Sequence, residues 1–228
     1  AYKKRPSLFC YCQNRRTGLR KGRDHPMRMM LVGAGAVGEC ILKVLKKRDP
    51  QRRWLSYVLI ADYSLKRAEE VKEHLKQGGP CGFRMETVRA DAREKEKLLG
   101  LMQEHSIDFV MDAASPFVSN FIFDAAFEAG ADYGNMGTWS VPKDEPAFGI
   151  GFEGSYLEPM TKYNFDRHEA WRRKEQTALI CLGIDPGVVN VFAKYAAEYL
   201  FDELLELHVK DGGNLRRPEA GKDEVTFG

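Results

Sequence analysis

Apolar positions fall in two patterns that take turns along the chain, short unbroken runs and stripes at helical spacing. The first run, Met29-Met30-Leu31-Val32, is followed by a helix-forming stretch, Glu39–Lys47. A second run, Tyr57–Ala61, precedes Leu65–Lys76, where Leu65, Ala68, Val71 and Leu75 share one helical face and Gly78-Gly79-Pro80 ends the helix. Phe83–Arg89 reads as a third strand, Glu94–His105 as a helix with Leu98, Leu101 and Met102 inward, and Ile107–Met111 as a fourth strand. Val118–Ala129 is the next helix, stopped by Gly130, and Asp132–Asn135 is a fifth strand. The period is lost from Met136 to Pro159, which is rich in Gly, Pro and aromatics, as functional loops and domain crossings often are. Regular spacing predicts a helix over Asn164–Glu175, a strand over Thr177–Leu182, a turn at Gly183–Gly187, a helix over Val188–Phe201 and a strand over Leu204–Lys210. Strands that alternate with helices predict an α/β fold with a doubly wound parallel sheet.

The turn between the first strand and first helix carries the chemistry. Gly33-Ala34-Gly35-Ala36-Val37-Gly38 places glycines at the spacing of a dinucleotide-binding turn, and Asp62 ends the second strand 24 residues after Gly38. In that motif Gly33 would allow the tight turn, Gly35 would let a pyrophosphate approach the backbone, and Gly38 would let the helix pack on the sheet. The phosphates would rest on free N–H groups at the helix start, around Ala36 and Val37. Asp62 would accept the hydroxyls of the adenosine ribose, which favours NAD with NADP as the alternative.

Other strand ends offer further candidates. Asp91-Ala92 suits an adenine edge, or a helix cap equally well. Ala113-Ala114-Ser115 is small enough for a cofactor ribose to lie against. Asn135 and Trp139 fall near the expected nicotinamide position, although Trp139 reads as core packing at least as readily. Asp185-Pro186-Gly187 with Asn190 makes either a substrate-facing turn or a simple helix start, and His168 either an acid/base group or a surface histidine. Neither a Tyr-x-x-x-Lys pair, a Walker glycine loop nor an H-E-x-x-H zinc pair occurs, and no metal site is expected.

Composition narrows the partners. With 228 residues, 43% hydrophobic and 30% charged, the chain is long enough for one full core or one domain and part of another. Its net charge of +2 conceals nine Lys/Arg against the single acid Asp24 in residues 1–28, leaving 26 bases and 32 acids in the rest. The acidic body argues against a nucleic-acid partner, and no run reaches the ~18 apolar residues of a membrane helix. Residues 1–26 are expected to be a basic arm, disordered, organellar or non-native, with Met27 as the natural start. Five cysteines, an odd number, predict reduced thiols in a cytoplasmic setting; Cys10 and Cys12 read as incidental.

Gly33-x-Gly35-x-x-Gly38, Ala61-Asp62, Asp91-Ala92, Asp112–Pro116 and Ala129–Tyr133 come in the order found in the saccharopine dehydrogenase family. Gly183–Asn190, Phe192-Ala193-x-Tyr195-Ala196 and Asp211-Gly212-Gly213 continue the resemblance, which covers Met27 to Gly213. It implies an NAD(P)-dependent oxidoreductase working at a C–N bond of an amino acid or polyamine precursor, like saccharopine reductase, carboxynorspermidine dehydrogenase or lysine 6-dehydrogenase. It further implies a Rossmann domain over 27–137 and, over 138–228, the start of an α+β substrate and dimerisation domain, with a homodimer once that domain is complete. Asp185 and Asn190 would hold the substrate's amine side, with His168 as acid or base. This chain has Gly134-Asn135 where many members carry an acid, and members are longer, so a truncation after Gly228 is expected. Two other classes fit the glycine turn and acid: a non-catalytic redox sensor and an S-adenosylmethionine-dependent methyltransferase.

Overall fold

The computed structural model describes residues 25–77, 79–139 and 160–210, together with the backbone of Leu215–Arg217 and Glu224–Thr226. Residues 1–24 of the expected arm, Cys10, Cys12, residues 140–159 and Asp211-Gly212-Gly213 lie outside the described residues.

Six parallel strands form one sheet: β1 (Met27–Val32), β2 (Leu55–Asp62), β3 (Arg84–Arg89), β4 (Phe109–Asp112), β5 (Asp132–Asn135) and β6 (Ala178–Leu179). Their order across the sheet is β3-β2-β1-β4-β5-β6. The winding direction reverses between β1 and β4, which opens a crevice at their carboxyl ends. Helices α1 (Ala36–Arg48), α2 (Leu65–Gln77), α3 (Lys95–Glu104) and α4 (Ser119–Ala129) connect the first five strands.

Successive residues of β1 and β2 feed opposite cores, which is why both strands are continuously apolar. Met29, Leu31, Val58 and Ile60 meet Leu42 of α1 and Ala68, Val71 and Leu75 of α2. Met30, Val32, Tyr57 and Leu59 meet Leu98, Met102, Ile122 and Phe123 on the other side. Leu65, expected on the inward face of α2, is 39% exposed because it opens the helix. Gly130, at φ +79°, ends α4, and Ala131 N–H closes back onto Ala126 O at 3.0 Å.

Three elements depart from the sequence pattern. The single helix expected over Asn164–Glu175 is two short ones, α5 (Lys162–Phe165) and α6 (His168–Arg173). Arg167 makes the break: it donates to Tyr163 O at 3.0 Å and lies 3.4 Å over the Tyr163 ring. The strand expected over Thr177–Leu182 keeps only Ala178–Leu179. Beyond it the pairing is irregular: Asn135 Oδ1 accepts from Cys181 N–H at 2.9 Å, its backbone O accepts from Leu182 N–H at 2.8 Å, and Cys181 stands at φ +61°. Leu204–Lys210, expected as a strand, has no ladder partner among the described residues, and Leu205 is 85% exposed.

The sheet passes the expected domain end at Gly137, since β6 pairs with β5 through Tyr133↔Ala178 and Gly134↔Leu179. After β6 comes α7 (Val188–Tyr199), none of whose residues is buried. No described helix is long and apolar enough to cross a membrane.

Candidate functional site

The loop between β1 and α1 shows three glycines under three different constraints. Gly33 has φ +98°, and a Cβ there would lie 2.7 Å from the Ala113 backbone, so the β1 and β4 loops touch through it. At Gly38 a Cβ would come within 2.0 Å of Gly33 O, which holds α1 tightly against the turn. A Cβ on Gly35 would have nothing within 4 Å, and Gly35, Ala36 and Val37 are all exposed. Gly35 therefore presents an open backbone face at the start of α1, where helix N–H groups lack intrahelical acceptors. A diphosphate fits that surface.

Asp62 closes the site on the β2 side. It is only 7% exposed, and each carboxylate oxygen accepts one backbone N–H: Oδ2 from Ala34 at 2.7 Å and Oδ1 from Ser64 at 2.8 Å. A carboxylate has about four lone-pair positions, so each oxygen keeps one for a ribose hydroxyl. The acid thus braces the glycine loop while keeping acceptor positions open on its carboxylate. Tyr63 beside it is 77% exposed, a flat ring at the mouth that the apolar pattern did not single out.

A second brace comes from α2. Arg67 Nε donates to Ala34 O at 2.8 Å and its Nη2 to Glu39 Oε2 at 2.5 Å. Lys43 reaches Glu39 Oε1 at 2.8 Å, and His74 Nδ1 lies 3.0 Å from the same oxygen. Hydrogen bonds from Lys43, then Arg67 and His74, outweigh burial and hold the Glu39 carboxyl down to about 2. Lys66, the other base near Asp62 in sequence, is 87% exposed and points to Glu70.

The remaining candidates divide. Asp91 binds the Arg93 side chain at 2.6 Å and accepts Arg93 N–H at 2.9 Å, and these bonds hold its carboxyl down to about 2. It therefore shapes the turn before α3, whose cap is Glu94. Ala92, Ala113 and Ala114 are half-buried at the crevice, and Ser115 is exposed ahead of a short 3₁₀ turn, Pro116–Val118.

Beneath that loop runs a buried polar chain. Tyr133 donates to Asp112 Oδ2 at 2.7 Å, and Asn135 Nδ2 donates to the Tyr133 hydroxyl at 3.1 Å. Ala114 N–H donates to Asp112 Oδ1 at 3.0 Å. Burial pushes the Asp112 carboxyl up to about 6, against the opposing bonds from Ser119, Tyr133 and Ala114. Asn135 is 1% exposed with its side chain in this chain, so it positions the β4, β5 and β6 ends from below. Trp139 packs edge-on to Phe117 at 4.7 Å, consistent with a packing role at the crevice rim.

Asp185 is exposed in the turn after β6, at the same carboxyl edge as the glycine loop. Asn190 Oδ1 accepts Gly187 N–H at 3.0 Å and so caps α7. His168, with a 61% exposed side chain, lies 4.0 Å from Glu169 on its own helix. Among the described residues no bond joins His168 to Asp185 or Asn190. The sequence missed the Glu39–Arg67 pair and the Asp112–Tyr133–Asn135 chain. Glu39 and Arg67, like Asp112 and Tyr133, lie far apart in sequence; the one available signal was a polar residue ending each of two strands, Asp112 and Asn135.

Sheet order, glycine loop and acid together define a nucleotide-binding domain of the doubly wound, Rossmann type. Residues 29–179 match the family described as the saccharopine dehydrogenase NADP binding domain, and the chain belongs to that family. Carboxynorspermidine synthase of Vibrio cholerae is 31% identical over 81% of this chain and 43% of its own length. Carboxyaminopropylagmatine dehydrogenase of Synechocystis sp. is 26% identical over 81% of the chain and 41% of its own. The chain thus spans about two-fifths of the length of these curated relatives. The apo structure of saccharopine dehydrogenase (L-Glu forming) from Saccharomyces cerevisiae shares the fold at TM-score 0.50, with 16% identity over 73% of this chain and 29% of that one.

Proposed function

We propose that this chain is the cofactor-binding half of an NAD(P)-dependent oxidoreductase that acts at a C–N bond of an amino acid or, as the names of its relatives favour, a polyamine precursor. The observation that carries this is the open backbone face of Gly35 beside an Asp62 that keeps one acceptor position per oxygen. Gly35, Ala36, Val37 and Gly38 would hold the pyrophosphate, and Asp62 the adenosine ribose. Ala92 would lie against the adenine with Asp91 fixing its turn, and Ala113, Ala114 and Ser115 would flank the second ribose. When bound, the nicotinamide supplies or accepts hydride at its C4 carbon. Asp185, at the same edge of the sheet, orients the substrate's amine, while Asn190 sets the turn that presents Asp185. His168, exposed on α6, is the acid/base candidate. We assign the residues after β6 to the opening of a substrate and dimerisation domain, because α7 exposes Val191, Phe192, Tyr195 and Tyr199 together. A cytoplasmic homodimer is the state this reading implies.

Calorimetric titration of the chain with NAD, NADP and S-adenosylmethionine tests the cofactor assignment. Either dinucleotide should bind and S-adenosylmethionine should not, and Gly35→Val should lose dinucleotide binding while melting cooperatively. Wild-type affinity in Gly35→Val would remove the assignment.

A further inference from the structure

We infer that Glu39 sets the site's choice between NAD and NADP, by neutralising and pinning Arg67 beside the ribose position. The inference rests on the dinucleotide reading above. NADP differs from NAD by a phosphate on the adenosine ribose, so discrimination depends on the charge near Asp62. Arg67 is the cation in place there: it donates to Ala34 O at 2.8 Å, and Ala34 N–H in turn donates to Asp62 at 2.7 Å. One residue of the glycine loop therefore separates guanidinium and carboxylate. Lys66, with an 87% exposed side chain, is not held at the loop.

Arg67 is nevertheless not free to act as a phosphate receptor. Glu39, on the first turn of α1 with a 12% exposed side chain, takes its Nη2 at 2.5 Å. The same carboxylate draws in Lys43 at 2.8 Å and His74 at 3.0 Å, while Glu70 stands 3.6 Å from Arg67 Nη1. One half-buried anion thus gathers Arg67, Lys43 and His74. With Glu39 charged, the Arg67 pair is neutral and the Asp62 carboxylate decides against a phosphate. If Glu39 loses its charge but keeps its shape, Arg67 stays on Ala34 O with only the more exposed Glu70, 3.6 Å from Nη1, to oppose its charge. Like and opposite charges at this range, partly screened, change affinity by several-fold to more than tenfold.

The test is a double-mutant cycle on the full chain, with calorimetric affinities for NAD and for NADP. Glu39→Gln keeps an oxygen acceptor for Arg67 and should raise the ratio of NADP to NAD affinity at least about fivefold. Arg67→Met should lower that ratio, and in the Arg67→Met background Glu39→Gln should no longer raise it, because Glu39 acts through Arg67. A rise of less than about fivefold in a cooperatively melting Glu39→Gln protein overturns the inference. Should Glu39→Gln fail to melt cooperatively, Arg67→Met carries the test, and an unchanged ratio there overturns it. Failure of the unaltered chain to bind either dinucleotide is a separate result, and it overturns the cofactor reading itself.

Discussion

Single residues in this site differ in how far their surroundings restrict them. Gly38 is the tightest: a methyl group there meets a backbone oxygen at 2.0 Å, and neither helix nor turn can yield independently. Gly38→Ala should therefore cost about 3 kcal/mol, the upper range for overpacking, read as a lowered urea midpoint. A change below ~0.5 kcal/mol would show that α1 can lift off the sheet. Two buried acids behave oppositely. Burial works to raise Asp49, but N–H groups of Trp54, Arg53 and Leu55 outweigh it and hold the carboxyl below its ordinary range. Asp112 is raised to about 6 from 3.8 by burial, so its proton is held more tightly in the native state than in the unfolded chain. The resulting stability is complete below pH 3.8 and is lost as pH rises through about 6. The loss amounts to ~3 kcal/mol at most. Asp112→Asn should remove that component, so subtracting its stability profile from the wild-type one across this window should leave a falling curve. A flat difference would mean that the carboxylate stays ionised on its hydrogen bonds. Asp62 was legible as a strand-end acid at the distance from the glycine turn expected of a ribose acid. Its second task, bracing Ala34 and Ser64, was not, since main-chain partners leave no mark on side-chain pattern.

Elements were readable where burial imposes a period. β1, β2 and α2 lie within two residues of their predicted limits because both sheet faces are covered. Where the chain leaves the sheet, individual contacts decide instead. Arg167 folding onto Tyr163 splits one expected helix into α5 and α6, and Asn135 intercepts the backbone of the expected sixth strand after two residues. The apolar alternation of Leu204–Lys210 misled for another reason: a strand requires a neighbour, and pattern alone does not supply one. Trp171 is the anchor of the crossing to β6, 4% exposed with its ring 4.7 Å from Phe123 and 5.4 Å from Phe127. Trp171→Ala should cost about 3–5 kcal/mol in chemical denaturation. A loss under ~1 kcal/mol would make α6 and β6 an appendage to a five-stranded core. The Asp185 turn hangs from that same crossing. In the full-length protein Asp185→Ala should lower turnover while leaving dinucleotide affinity nearly unchanged, and unaltered kinetics would reduce it to a turn residue.

At the scale of the whole molecule, the crevice joins parts that are distant in sequence and share few direct bonds. Gly33 touches Ala113, Asp62 holds Ala34, and Arg67 holds the same residue from α2. A dinucleotide lying across these loops would bind the assembled sheet and not the unfolded chain, in which the loops are scattered. Binding should then stabilise the fold by mass action, about 2.7 kcal/mol at a ligand concentration one hundred times Kd. For a chain of this size each kcal/mol raises Tm by roughly 2–4 °C, so saturating NAD should shift it by about 5–11 °C. The shift should grow with the logarithm of NAD concentration and vanish in Gly35→Val, whose open backbone face is closed. S-adenosylmethionine, which has no diphosphate for the α1 N-terminus, should leave Tm in place. If NAD raised Tm equally in Gly35→Val, the ligand would be stabilising the protein from somewhere other than this crevice. If S-adenosylmethionine alone raised it, the ribose acid would be serving a methyl donor, and the reading of the chain as an oxidoreductase half would fail.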